Sequence, residues 1–405
     1  MAAPPGLIEP SGTLPRLLYI GDVSVADTMA GEALLFRLLQ FYPPDRLAII
    51  CGVRPGMPML PGVAYHHWGA AVPRLLHSRV AEEYILWRAW RYYEVPWPIA
   101  SLATRFRPDA ILTISHVSGW LGAWQLALRR RIPFHLIAHD DLAYVSRFPA
   151  WSRGWVGARF GEAYRAARSR LCISDTLAEV YERRFGAAGQ VIYPTYKGGQ
   201  PRELSPRVSR TAPGLTFAYG GSINSSSDLR QIVAFAGAAA ARGHRLIAYT
   251  PQHAELARLA AAEGAALDAR APIHSDQLLT RFRDEADCLF LPQSLTPQDH
   301  GLVATAFPTK WADYATVGLP VLVWAPVHSS SARFVGMHPG CAELVTSTEI
   351  ASVEAAIARL ETSPAHRRHL AQALLRAGLD AFSPEAAWQK FQAALQPVPP
   401  DASHT

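Results

Sequence analysis

One stretch carries the most specific chemistry in this sequence: Phe307-Pro308-Thr309-Lys310-Trp311-Ala312-Asp313-Tyr314-Ala315-Thr316-Val317-Gly318-Leu319-Pro320-Val321. Pro308 and Thr309 can open a helix whose first turn presents free N–H groups and the positive end of the macrodipole, a ready place for a diphosphate. Lys310 adds a point charge to the same anion. Asp313, one turn on, can accept hydrogen bonds from ribose hydroxyls, and Gly318 lets the helix end close to the next strand. Elsewhere, apolar runs lead directly into His139-Asp140-Asp141, into Gly220-Gly221-Ser222 and into Pro292-Gln293-Ser294. Backbone N–H groups and hydroxyls near Gly221, Ser222 and Ser225 suit phosphate. Each candidate has a structural alternative. Lys310 and Asp313 can be a solvated helix pair, His139 a hydrogen-bonded structural residue, Asp140-Asp141 a cap, and Gly220-Gly221 an ordinary βα turn.

The elements that would position these residues form two series. In the first, apolar runs at Leu17–Ile20, Leu47–Gly52, Ala110–Ser115, Phe134–Ala138, Leu171–Ser174 and Val191–Tyr193 alternate with helical patterns at Gly31–Phe41, Gly119–Arg130 and Asp175–Phe185. In the second, strands are expected at Leu215–Tyr219, Arg245–Tyr249, Cys288–Leu291 and Val321–Trp324. Helices are expected from Asp228, from His253 and over Lys310–Val317. Such alternation indicates parallel sheets covered on both faces, hence an α/β protein of two Rossmann-like, doubly wound domains. Ligands of such sheets bind beyond the carboxyl ends of the strands, and two facing sheets make an inter-domain cleft. The expected domains are residues 1–193, a linker at 194–213, a second domain at 214–383, and a helix with a tail at 384–405. That helix, Pro384–Leu395, starts with an N-cap serine and a proline at its first position.

Composition narrows the class. The 405 residues are 49% hydrophobic and 18% charged, enough for two domains and too apolar for a disordered chain. No apolar stretch reaches the roughly 18–20 residues of a transmembrane helix, and Met1–Pro15 lacks the features of a secretory signal. Four scattered cysteines argue against a disulfide framework or a cysteine-rich zinc site, and they suit a reducing cytoplasm. His66-His67 has no third ligand at suggestive spacing, so no metal is expected. Residues 1–200 hold 22 Lys+Arg against 15 Asp+Glu, so the surplus of positive charge lies in the first half. Those basic residues form no continuous tract around a nucleic-acid module, so no nucleic-acid partner is expected.

The stretch from Phe307 to Val321 resembles the nucleotide-sugar motif of GT-B glycosyltransferases, specifically the retaining enzymes of family 4. Arg107-Pro108-Asp109-Ala110-Ile111-Leu112, Ile137-Ala138-His139-Asp140, Cys172-Ile173-Ser174 and Asp287-Cys288-Leu289-Phe290-Leu291-Pro292 are similar in type and order to that family's strand and post-strand segments. The resemblance implies a metal-independent, hexosyltransferase-type enzyme that moves a sugar from a nucleoside diphosphate donor to a glycan, lipid-linked or small-molecule acceptor with retention. No cofactor is implied beyond the donor substrate. Asp313 stands where the family has a ribose-binding Glu. His139, after the fourth strand of the first domain, matches a histidine that contacts the donor sugar. Met29, Ala30 and Gly31 match a loop near the diphosphate and acceptor, with Asp140 a further acceptor contact. Pro308, Thr309, Lys310, Gly221, Ser222, Ser225 and Ile273 would complete the donor site. His139 and Lys310 would be the catalytic pair. The final helix is implied to cross back to the first domain.

The chain also departs from the pattern. Thr305 replaces a second Glu, and Gly221-Ser222-Ile223-Asn224-Ser225 lacks the usual Arg and Lys. A catalytically inert GT-B scaffold that binds nucleotide or glycan, and a GT-B sugar-nucleotide epimerase or hydrolase, are therefore the alternatives.

Residues 73–107 interleave Arg74, Arg79, Arg88, Arg91, Arg105 and Arg107 with Tyr84, Trp87, Trp90, Tyr92, Tyr93 and Trp97. A basic helix of this kind can lie on an anionic membrane, placing the protein at the inner face, or can be a partly buried helix whose arginine stems cover apolar surface.

Overall fold

The chain divides into two units, Met1–Tyr193 with Pro384–Thr405, and Pro194–Ser383. A computed structural model describes residues 14–396 apart from 29, 69–71, 77, 146, 198–202, 212 and 224.

Unit 1 is built on seven parallel strands: β1 (Leu17–Ile20), β2 (Leu47–Cys51), β3 (Ala64–His67), β4 (Ala110–Ile114), β5 (Phe134–Ala138), β6 (Ser169–Cys172) and β7 (Gln190–Val191). Their order in the sheet is β3-β2-β1-β4-β5-β6-β7. Every residue of β1, β2, β4 and β5 is buried, which explains why these strands read as continuous Leu/Ile runs rather than alternating ones. The edge strand β3, Ala64-Tyr65-His66-His67, has no buried residue and no apolar run. It went unread in the sequence, so His139 follows the fifth strand in chain order and not the fourth. Chain order reverses between β1 and β4, so the loops leaving these strands diverge and open a crevice at their carboxyl ends.

The final helix, Pro384–Leu395, packs within unit 1. Its Trp388 ring lies 5.8 Å from Phe41 and 6.0 Å from Tyr42, and Lys390 Nζ donates to Val191 O at 3.3 Å.

Unit 2 has six parallel strands: β8 (Thr216–Gly220), β9 (Arg245–Tyr249), β10 (Leu267–Arg270), β11 (Cys288–Pro292), β12 (Val321–Trp324) and β13 (Glu343–Val345). They are ordered β10-β9-β8-β11-β12-β13, with the reversal between β8 and β11. Phe235 and Phe290 stack at 3.8 Å in the core, and the fully buried Trp311 donates its indole N–H to Ser331 Oγ at 2.9 Å. Burying one such aromatic side chain contributes about 2–3 kcal/mol.

The stretch expected as a linker is partly built into this unit. Thr195, Tyr196, Ser205 and Val208 are buried. The fully buried Arg367 donates to Val208 O, and Arg207 and Arg210 pair with the buried Asp287 at 3.2 and 2.6 Å. Pro206–Ser209 forms a 3-10 turn, while residues 198–202 and 212 of the expected linker lie outside the described residues.

Candidate functional site

In unit 2 the crevice at the ends of β8 and β11 is formed by two loops far apart in sequence. The Gly220 amide donates to the Tyr314 hydroxyl at 3.1 Å, and that hydroxyl lies 3.4 Å from Phe290 O, so helix Lys310–Val317 is tied to both strands. Gly221 has φ +125°, a conformation L side chains rarely adopt. A Cβ there would stand 2.7 Å from Lys310 Cε and 3.1 Å from Lys310 Nζ. The lysine therefore lies across the backbone of the β8 loop, its ammonium 5.2 Å from the Tyr219 ring centre. Burial pulls the Lys310 ammonium down to about 8, overcoming the raising influence of Asp228 and Asp313. An anion arriving at this position would restore the charge that burial disfavours.

The other expected donor residues lie around this pair. Asp313 is half-buried, one turn after Lys310. The amides of Trp311 and Ala312 donate to Pro308 O at 3.1 Å and Thr309 O at 3.2 Å. The first turn is thus less open than its sequence suggested, and the amides a phosphate could take at this end are those of Thr309 and Lys310. Ser225 is committed elsewhere as well: its hydroxyl accepts from the Asp228 amide at 3.1 Å and caps helix Ser226–Ala240. Ser222 is exposed, and its carbonyl accepts from the Tyr219 hydroxyl at 2.8 Å.

Gln252 was not singled out in the sequence, yet its Oε1 accepts from Ile223 N at 3.0 Å and joins the β8 and β9 loops. The Thr250 amide donates to Arg270 O and continues that tie to β10, after which Ile273 sits half-buried. Thr305 is buried, and its hydroxyl donates to Gly301 O at 2.8 Å. Gly318 ends the helix at φ +75°. A Cβ there would come within 2.1 Å of Glu203 O and 2.7 Å of Ser205 N.

In unit 1, the ends of β1, β4 and β5 gather a second cluster. His139 Nδ1 lies 2.9 Å from Asp140 Oδ2, while its buried Nε2 has no hydrogen-bond partner among the described residues. A Cβ on Gly31 would stand 3.7 Å from that Nε2, so the start of helix Ala30–Leu39 closes on the imidazole. Met29 lies outside the described residues. Burial pushes the Asp140 carboxyl up, but the charge and hydrogen bond of His139, with His116, bring it below the ordinary value. Burial lowers His116, against the pull of Asp140 and Asp22.

Asp22 and Arg88, 66 residues apart, form a buried ion pair here; the second Asp22 oxygen accepts from the amides of Ser118, at 2.7 Å, and Gly119. Arg88 is therefore a core residue at a strand end and not part of a lipid-facing basic stripe. The 73–107 stretch is three helices, Pro73–Leu76, Ala81–Tyr93 and Trp97–Phe106, with Arg88 and Tyr92 buried and Trp87, Trp90 and Trp97 exposed.

Among the described residues, no group of three or more His, Cys, Asp or Glu could hold a metal ion, and no helix is long and apolar enough to cross a membrane. The four cysteines are buried and unpaired.

Residues 56–196 match the family described as Glycosyltransferase Family 4. Among solved structures, the chain is similar to sucrose-phosphate synthase from Thermosynechococcus elongatus, with 15% identity, TM-score 0.67, and 93% of this chain and 97% of that one covered. It is also similar to Anabaena HepE in complex with UDP-glucose, at 14% identity and TM-score 0.64 over 94% and 99% of the two chains. A third is described as trehalose-6-phosphate from E. coli bound with UDP-2-fluoro glucose, at 12% identity and TM-score 0.64 over 95% and 100%. The chain has the GT-B fold, and the part that matches the family model lies almost wholly in its first unit. No curated protein matches it in sequence.

Proposed function

We propose that this chain is a glycosyltransferase that moves a sugar from a nucleoside diphosphate donor to an acceptor, with retention of the anomeric configuration. The observation that carries the proposal is Lys310 lying across Gly221 at the strand-order reversal of unit 2, its ammonium disfavoured by burial and awaiting an anion. We assign the diphosphate to the Gly221 loop, Thr309 and Lys310, the ribose to Asp313, and the base to the loop at Ile273. Unit 1 supplies His139 for the reacting sugar, and Gly31 and Asp140 for the diphosphate end or the acceptor.

As the glycosidic bond breaks, the electron pair goes to the leaving phosphate oxygen. Lys310 and fixed backbone N–H groups meet the charge that develops there. The acceptor hydroxyl then bonds to the anomeric carbon on the face the diphosphate leaves, and its proton passes to the departing phosphate oxygen. This chemistry needs no protein base at the position of Thr305, and Lys310 supplies the positive charge at the diphosphate. The buried, internally bonded Thr305 favours one rival, a scaffold that binds nucleotide without turnover. The exposed Trp87, Trp90 and Trp97 beside arginines support peripheral contact with an anionic membrane.

The test is release of nucleoside diphosphate from a panel of nucleotide sugars. We expect slow release without acceptor for one base and sugar, and its loss in Lys310→Met. Nucleotide binding with no release from any sugar would leave the inert scaffold instead.

A further inference from the structure

We propose that the acceptor of this transfer is an amphiphilic anion, an apolar body bearing a phosphate-like group, seated in a pocket of unit 1 beside the Asp22–Arg88 pair. The inference rests on the glycosyltransferase reading for the word acceptor, but the pocket stands on its own observations. It is a cavity of about 530 Å³, within the range that holds a small organic ligand. Its walls are largely aromatic: Trp68, Tyr84, Trp87 and Tyr92 line it, with Tyr84 and Trp87 stacked at 6.0 Å. A free sugar would need a hydrogen-bond partner for each hydroxyl, and this wall offers few.

One polar group gives the pocket its selectivity. Arg91 lies over Trp87 at 5.2 Å and over Trp68 at 5.7 Å, which fixes its guanidinium at the pocket without neutralising it. No carboxylate pairs with it among the described residues. By contrast, Arg88 in the same wall is neutralised by Asp22. Tyr92, only 3% exposed, adds its ring to the wall while its hydroxyl is engaged with Asp22. An uncompensated cation held by indole rings suits an anionic group carried on an apolar body. Asp22 pairs with Arg88 of the pocket wall at the end of the strand Leu17–Ile20, the end of the sheet at which the His139 cluster of the same unit also lies.

Binding to the full-length chain, followed by calorimetry, tests this with decyl phosphate below its micellar range and with 1-naphthyl phosphate. Decanol and inorganic phosphate are the controls. We expect one-site, saturable binding of at least one of the two amphiphiles, about tenfold or more tighter than either control; which one binds distinguishes a chain-like from a ring-like acceptor body. Arg91→Ala should weaken it about tenfold, Arg91→Lys should recover part of it, and Leu75→Trp, which fills the pocket, should abolish it. All three variants should bind nucleoside diphosphate as the parent does. Amphiphile binding that is equal in parent and variants, or absent while nucleoside diphosphate binds, overturns the pocket. Amphiphile binding that follows the variants while no nucleoside diphosphate binds keeps the pocket and removes the transferase reading.

Discussion

In its proposed role, Lys310 makes donor binding depend on pH. Its ammonium sits at about 8 because burial disfavours the charge. A bound diphosphate favours the protonated form and raises that value, so above pH 8 binding must take up a proton. Affinity for nucleoside diphosphate should be flat below about pH 8 and fall by up to about tenfold per pH unit above it, a slope lost in Lys310→Met; calorimetry across pH reads this directly. The sign for folding is opposite. The unfolded chain holds this proton up to the ordinary lysine value, so Lys310 contributes stability that grows as pH rises past 8.

The proposed role of Asp313 is to meet the ribose and not the phosphates. Asp313→Ala should weaken nucleoside diphosphate about 10- to 100-fold and leave inorganic pyrophosphate within about twofold, since a charged hydrogen bond is worth about 1.5–3 kcal/mol. His139→Ala should cut turnover at least 100-fold with little effect on nucleoside diphosphate affinity, measured by steady-state kinetics beside calorimetry.

Lys310, Asp313 and Gly318 were legible because one helix turn and its terminator write themselves locally in sequence. The Asp22–Arg88 pair was not, because two charges 66 residues apart leave no local pattern and Arg88 reads like its exposed neighbours. Gln252 left no signal for the same reason: its partner is a backbone amide on another loop.

At the scale of elements, glycines set how closely the loops approach. Gly318→Ala forces a Cβ onto the backbone of Glu203 and Ser205 at φ +75°, where neither contact can rotate away. A loss of about 2–4 kcal/mol in denaturant melts is expected. Gly221→Ala meets a flexible lysine end but also carries the strain of φ +125°, so it should lower stability and, by displacing the ammonium, weaken diphosphate binding as well.

The central strands β1, β5, β9 and β12 were readable to the residue because burial on both faces demands an unbroken apolar run. The edge strands β3, β10 and β13 were not, because they are short or only half-covered and mix in polar residues. Helix Arg153–Ala166 was hidden by three glycines, of which Gly161 lets Phe185 pack at about 3.0 Å from where a Cβ would be.

For the molecule as a whole, the positive surplus of the first 200 residues and the exposed Trp87, Trp90 and Trp97 bear on whether the chain meets a membrane surface. Flotation with anionic liposomes at low salt should bring the chain up with the lipid. Release is expected at high salt and in a Trp87→Ala, Trp90→Ala double variant; a chain that stays at the bottom of the gradient removes the membrane contact.

The account stands or falls on the diphosphate cradle of unit 2, and calorimetric titration of the full chain with UDP, GDP, dTDP, CDP and ADP tests it most directly. We predict one-site binding of at least one of these, weakened tenfold or more by Lys310→Met. No binding across the set, or binding that Lys310→Met leaves unchanged, would contradict it.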